Sequence, residues 1–284
     1  AKNFNQYFEP IYHRYRAVDL SVCTEQELIA MYEALQRDLT PRWHLTLYND
    51  FCAMKYYDWL KQLCGKWGVK ENPNLHNHLL CGEKGVESVK PIHALVQLAD
   101  LVRSNPVFRE LFTNGCNADI WHKIQSEPQF SELKTNLEKY LEAYGDRGLE
   151  ELKLEVETFR ERPDLLVKLI KDHVSLELSV EGMREKEQKI RNESEKTVFR
   201  NLRNPFKQFV FRWVLANARH AIAARENMRF SRSRAYGVVR RIFKRLGEWL
   251  AEKKLLAHPS DITYLTTDEI IGFVQGAAVT QDLQ

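Results

Sequence analysis

The feature that most constrains this chain is an unbroken helical pattern that begins at Asn204-Pro205 and runs to about Leu256. Pro205 suits the first turn of a helix, where its missing N–H costs nothing, and nothing after it interrupts the period for some fifty residues. A segment of that length organises whatever packs on it. Steps of three and four from Leu215 pass through Ala218, Ile222, Arg225, Arg229, Arg232, Tyr236, Val239, Phe243, Leu246 and Leu250. The row is apolar at both ends and arginine in the middle. A neighbouring row, Ala221, Ala224, Met228, Ala235, Val238, Ile242 and Trp249, is apolar too.

Those two rows leave three readings of the arginines open. With the neighbouring row as core, the guanidinium groups lie along its edge with their stems on apolar surface. With the arginine row facing inward, each charge needs a carboxylate or a bound anion, because an unpaired buried charge is expensive. Arginine suits either partner, since its planar fork grips carboxylate or phosphate with two bonds.

Other helical signals surround this segment. Thr24 with Glu27, and Thr266 with Glu269, have capping-box spacing, and Thr40-Pro41 predicts a helix start ahead of a segment from Trp43 to about Trp67. KENPNLHNHLLCGEKGVES reads as a loop, after which Ile92, Leu95, Val96, Ala99 and Val102 restore the helical period. A further helix ends at Gly145, Pro163 starts another, and the charged run 181–196 forms a solvated helical stretch. Only DRGLEELKLEVETF alternates like a strand, and it reads as a crossing connection. The expected fold is mainly α: an irregular multi-helix domain with one long C-terminal helix and at most a short extended connection. No linker divides the chain, so residues 1–284 read as a single helical central domain, a fragment of a larger multidomain protein.

Composition narrows the function classes. Lys+Arg 42 against Asp+Glu 39 lacks the basic excess of a dedicated nucleic-acid binder, and no aromatic stacking platform accompanies the arginines. Five cysteines without a CxxC pair fit reduced thiols, buried by default, and a cytoplasmic protein. No stretch approaches the length of a membrane span. His76, His78 and Cys81 in HNHLLC could supply three metal ligands, but no second cluster sits at standard spacing, and no metal site is assigned. Phosphate-cradling glycine motifs are absent, so no nucleotide site is visible in the chain and no cofactor is assigned to it. In YGDRG, Gly145 and Gly148 bracket Asp146 and Arg147 at a turn; Arg147 is either fixed against a carboxylate or turned toward a bound anion.

Three blocks, LLCGEKGVESVKPIHALVQLA (79–99), YGDRGLEELKLEVETFRERPDLL (144–166) and the stretch 218–270 containing ARHAIAARENMRFSRSRAYGVVRRIF, together resemble the central region of phosphoenolpyruvate synthase-like proteins. These are the pyruvate, water dikinase and rifampicin phosphotransferase group. The resemblance implies a modular enzyme in which an ATP-grasp domain, using ATP and Mg, phosphorylates a histidine on a mobile domain that then swings to an acceptor. It implies that this chain is the helical acceptor-binding region, not catalytic alone, whose partners are a small-molecule acceptor and the ATP-grasp and phosphohistidine domains of the same parent chain. Nucleic acid and membrane are not among those partners. Arg225 and Arg229, in the retained Arg-Glu-x-x-basic spacing, are then expected to bind acceptor or incoming phosphoryl group, with Arg232 and Arg147 behind them. The chain departs from the family pattern at Lys153, where an aspartate is common, and at Glu157-Thr158-Phe159, where Pro-Arg-Trp is frequent. The alternative is a non-catalytic helical scaffold or interaction module that has kept the architecture.

Overall fold

The computed structural model describes residues 2–67, 72–83, 85–146, 153–176 and 179–277, and among them no strand occurs. The helices, in chain order, are α1 (Lys2–Arg16), α2 (Glu25–Trp67), α3 (Leu75–Leu80), α4 (Lys90–Ser104), α5 (Pro106–Asn114) and α6 (Asn117–Ser126). They are followed by α7 (Ser131–Tyr144), α8 (Pro163–Ser175), α9 (Val180–Asn201), α10 (Pro205–Glu252) and α11 (Thr267–Val274), with a 3-10 turn at Pro259–Tyr264 before the last. The chain is a multi-helix assembly dominated by α2 and α10.

Both capping boxes form. Thr24 N–H donates to Glu27 Oε2 at 2.8 Å and Glu27 N–H returns a bond to Thr24 Oγ1, and Thr266 and Glu269 repeat the exchange ahead of α11. Thr40-Pro41, by contrast, starts nothing: α2 runs through it. The physical reason lies in the buried positions of α2. Leu28, Leu35, Leu39, Thr46, Ala53 and Leu60 recur at steps of four and seven on both sides of the proline, so one face stays buried while Pro41 itself points to solvent. The helix gives up one backbone bond there and keeps its packing. A second correction concerns HNHLLC, which is helical as α3 instead of loop, with Leu75, His76 and Leu79 buried.

DRGLEELKLEVETF is the third. Residues 147–152 lie outside the described residues, and within 153–161 turns and a bend predominate, with a single bridge residue at Thr158. Thr158 N–H donates to Glu161 Oε2 at 2.7 Å and Glu161 N–H donates to Thr158 O at 3.1 Å, which closes a tight turn where an extended run was expected.

The chain packs as two compact units. The first comprises Leu45–Gly145 and Arg162–Phe230; the second comprises Lys2–His44, Asp146–Glu161 and Ser231–Gln284. In the first, α4 packs on α5, α7 and α8, while α3 lies on α9. Its apolar core joins Leu60 and Cys64 of α2, Leu75 and Leu79 of α3, Val198 of α9, and Phe211, Leu215 and Ala218 of α10.

In the second unit α1 lays Phe4, Phe8 and Tyr12 in a stacked series. The Arg234 guanidinium sits 3.8 Å from the Tyr12 ring centroid and grips both oxygens of Glu9, at 2.6 and 2.9 Å. Arg241 donates to the carbonyls of Arg16 and Val18 at the end of α1. Asp146 receives Arg16 at 2.7 Å and Arg160 at 3.0 Å, and it lies against Gly237 of α10. The N-terminal segment, which carries no part of the family resemblance, thus supplies one of the three segments of the second unit.

Candidate functional site

Which row of α10 is buried has a direct answer. Ala221, Ala224, Met228, Ala235, Val238 and Ile242 are all less than a tenth exposed, whereas Arg225 and Arg229 are exposed and Arg232 is half-buried. Around the arginines the neighbouring row is the core and the arginines lie at its edge, whereas toward the helix ends Leu215, Ala218, Leu246 and Leu250 of the arginine row are buried as well.

Most of the basic stretch around them is held by acids or carbonyls. Arg219 donates to Leu79 O and meets Glu195 at 2.6 Å; Arg225 Nε lies 3.4 Å from Asp50 Oδ1; Arg234 holds Glu9. Asn227 clamps the CGEKG turn, accepting from Glu87 N–H at 2.6 Å and donating to Gly85 O at 2.8 Å. Gly82 and Gly85 both take left-handed backbone in that turn, with φ of 61° and 82°. Two of the blocks that carry the resemblance are therefore in contact within the first unit. Arg225 and Arg229 share its exposed face of α10; Arg232 belongs to the second unit; Arg147 lies outside the described residues.

The HNHLLC residues are taken up by local bonds. His76 is buried with Nε2 3.0 Å from the Tyr57 hydroxyl, and desolvation, with Lys61 and His78 nearby, holds its pKa below the ordinary histidine value. His78 pairs with Asn72, and the Cys81 thiol donates to Asn77 O. Among the described residues no three His, Cys, Asp or Glu side chains converge as a metal site requires. All five cysteines are free thiols, but only Cys64 is fully buried, where desolvation pushes its pKa up to about 12; Cys52 and Cys116 are exposed.

Among the described residues a concave site lies in the second unit. It is a cavity of about 820 Å³, the size range of small-molecule sites. One wall is α2, with Tyr32, Leu35, Leu39 and Trp43; the opposite wall is α10, with Tyr236, Val239 and Phe243. Tyr32 meets Phe243 edge-to-face at 5.0 Å between centroids. Tyr236, Val239 and Phe243 of the row that carries the arginines thus face this cavity, while Leu246 and Leu250 further along the row are buried. Ile262 and Leu265 of the 3-10 turn and Ile270 of α11 add apolar surface. His258 caps that turn through a bond from Ser260 N–H.

Charged groups gather where the 153–161 segment crosses α10. Arg240 Nη2 lies 3.1 Å from Glu161 Oε2 and Lys244 Nζ 3.0 Å from Glu161 Oε1, so one carboxylate bridges two cations. Arg240 also donates to Lys153 O and to Leu154 O. Burial raises the Glu161 pKa, but the Thr158 N–H, Lys244 and Arg240 outweigh it, and the carboxyl is held below the usual carboxylate value. Lys153 and Glu157-Thr158-Phe159, where the chain departs from the family pattern, lie in this same segment.

Sequence reasoning missed Glu161, Arg240 and Lys244. Arg240 and Lys244 stand one turn apart, a legible pair, but their shared carboxylate is some eighty positions away along the chain.

The described residues thus form a mainly helical chain that carries an aromatic-walled, charge-rimmed cavity. Residues 48–226 match the family described as Rifampicin phosphotransferase fourth domain, and the chain belongs to that family. Over 182 residues it is 27% identical to rifampicin phosphotransferase of Streptomyces sviceus, an alignment covering 62% of this chain and 21% of that protein. It is accordingly a member of the phosphoenolpyruvate synthase-like phosphotransferases. The family match coincides largely with the first unit, and most of the cavity wall, contributed by residues 32–43 and 235–270, falls outside it. Among the described residues no helix is long and apolar enough to cross a membrane.

Proposed function

We propose that this chain is the acceptor-binding portion of an ATP-dependent phosphotransferase and that the acceptor sits in the cavity of the second unit. The observation that carries the acceptor role is the cavity itself: room for a drug-sized molecule, aromatic and aliphatic walls on two helices, and fixed polar groups at the rim. Membership of a phosphotransferase family supplies the chemistry to which such a cavity would contribute. In this reading ATP, Mg, an ATP-grasp domain and a phosphohistidine domain belong to other parts of the parent protein. The chain's own work is to orient an acceptor group for in-line attack, since phosphoryl transfer depends mainly on positioning and charge stabilisation. The setting is cytoplasmic.

A second reading places acceptor or phosphoryl contacts at Arg225 and Arg229, with Arg232 and Arg147 in support. What favours it is that Arg225 and Arg229 are exposed one turn apart on the same face of α10.

Substitution in the full-length protein separates the two. Val239→Trp puts an indole into the cavity and is expected to raise the acceptor KM at least about tenfold, while ATP-dependent phosphorylation of the histidine domain is unchanged. Acceptor-dependent AMP release is the readout. An unchanged KM in V239W, together with a loss in R225A and R229A, would move the acceptor site to the arginine face.

A further inference from the structure

We propose that Glu161 sets the charge selectivity of the cavity, so that it takes an uncharged, apolar-bodied ligand and turns away small carboxylates and other anions. This rests on the reading of the cavity as a ligand site.

An apolar cavity with an arginine and a lysine at its rim looks made for an anion. The geometry says otherwise, because the anion position is already filled from within the chain. Glu161 bonds Arg240 with one oxygen and Lys244 with the other. It is also fixed by the Thr158 N–H at 2.7 Å and the Thr158 hydroxyl at 3.2 Å. Arg240 spends its other terminal nitrogen on the Lys153 and Leu154 carbonyls. A ligand carboxylate would have to break a charge-assisted network that already engages both oxygens of Glu161 and both terminal nitrogens of Arg240, leaving only the buried Arg240 Nε without a partner, and would leave Glu161, only 16% exposed, facing it.

The wider lining points the same way. Among the described residues it carries the carboxylates Glu155, Glu157 and Glu161 against the two cations Arg240 and Lys244, so it has one more negative group than positive. The depressed Glu161 pKa keeps its charge in place at neutral pH. The remaining wall, Tyr32, Leu39, Trp43, Val239 and Phe243, offers dispersion and ring contacts to an apolar body. Hydroxyl or amide groups on such a ligand could share Thr40, Ser260 or Thr263 at the wall without an electrostatic cost.

The test uses two dyes with one aromatic framework that differ in a sulfonate: neutral N-phenyl-1-naphthylamine and anionic 1-anilinonaphthalene-8-sulfonate. Fluorescence titration of the intact chain is expected to give a Kd for the neutral dye at least about tenfold below that for the anion. Glu161→Gln keeps an acceptor for Thr158 and removes the charge; it should tighten the anionic dye about tenfold and leave the neutral dye within a factor of two. Lys244 is half exposed, and adding Lys244→Gln to that variant should return the anionic dye to its original weakness. An E161Q variant whose anionic-dye Kd is unchanged overturns the proposal. So does one in which both dyes shift together, because that marks a change of cavity shape. If neither dye binds the parent chain, or V239W displaces neither, the cavity is not a ligand site and both readings fall together.

Discussion

Gly237 shows how much one residue of the third resemblance block decides. A Cβ built there would lie 2.9 Å from Asp146 Cβ, and Asp146 cannot step aside cheaply because Arg16 and Arg160 hold both its oxygens. Gly237→Ala is expected to destabilise the second unit by about 1–3 kcal/mol, read by urea unfolding followed through tryptophan fluorescence. A loss below half a kcal/mol would mean that Asp146 has room to relax. Glu161 makes a pH-dependent contribution whose sign is fixed by its depressed folded pKa. Such a group stabilises fully above the ordinary carboxylate value of 4.5 and loses that contribution as the pH falls through the lower folded value. The stability gap between the parent chain and E161Q should therefore be full at pH 7 and close as the solution is acidified past that point; a gap that does not narrow argues against the ion-pair account. The sequence made Asp146 visible as part of a turn, but its partners Arg16 and Arg160 and its neighbour Gly237 are brought to it by tertiary packing alone.

At the level of elements, what was legible followed local chemistry. Thr266 and Glu269 announce α11 because both partners of the capping box lie within four residues, and the buried row of α10 is one of two that periodicity offered. Periodicity could not choose between those rows, since both are apolar at both ends and the choice depends on what packs against them. Pro41 misled for the opposite reason: a local rule was overridden by a buried face continuing from Leu39 to Thr46. An exposed proline inside an otherwise continuous helix carries a cost that nothing at its own position offsets. Pro41→Ala, which supplies the missing N–H, is expected to stabilise the protein by about 1–3 kcal/mol, seen as a raised thermal midpoint with unchanged helicity by circular dichroism. A fall in the midpoint would mean that the backbone geometry proline imposes at position 41 is needed for packing.

For the whole molecule, the candidate site is legible only once four separate segments are folded together. The cavity takes its walls from residues 32–43, 154–161, 235–244 and 258–270, and no local pattern in any of them implies the others. Arg225, Arg229 and Arg232, three of the four arginines expected to form a site, stand in one run of sequence, where helical spacing alone lines them up. Division into units gives the last prediction. Residues 2–44 supply the second unit with the stacked Phe4, Phe8 and Tyr12, the Glu9 partner of Arg234, and the α2 wall that meets Phe243 through Tyr32. The first unit's core of Leu60, Leu79, Val198 and Phe211 draws on none of them. A chain lacking residues 1–44 should lose hydrogen-exchange protection across 235–250, where Ala235, Val238, Ile242 and Leu246 would face solvent, and keep it across 206–218. Protection lost equally in both stretches would show that α10 holds the two units in a single cooperative transition; protection kept in both would show that the N-terminal segment is dispensable for the second.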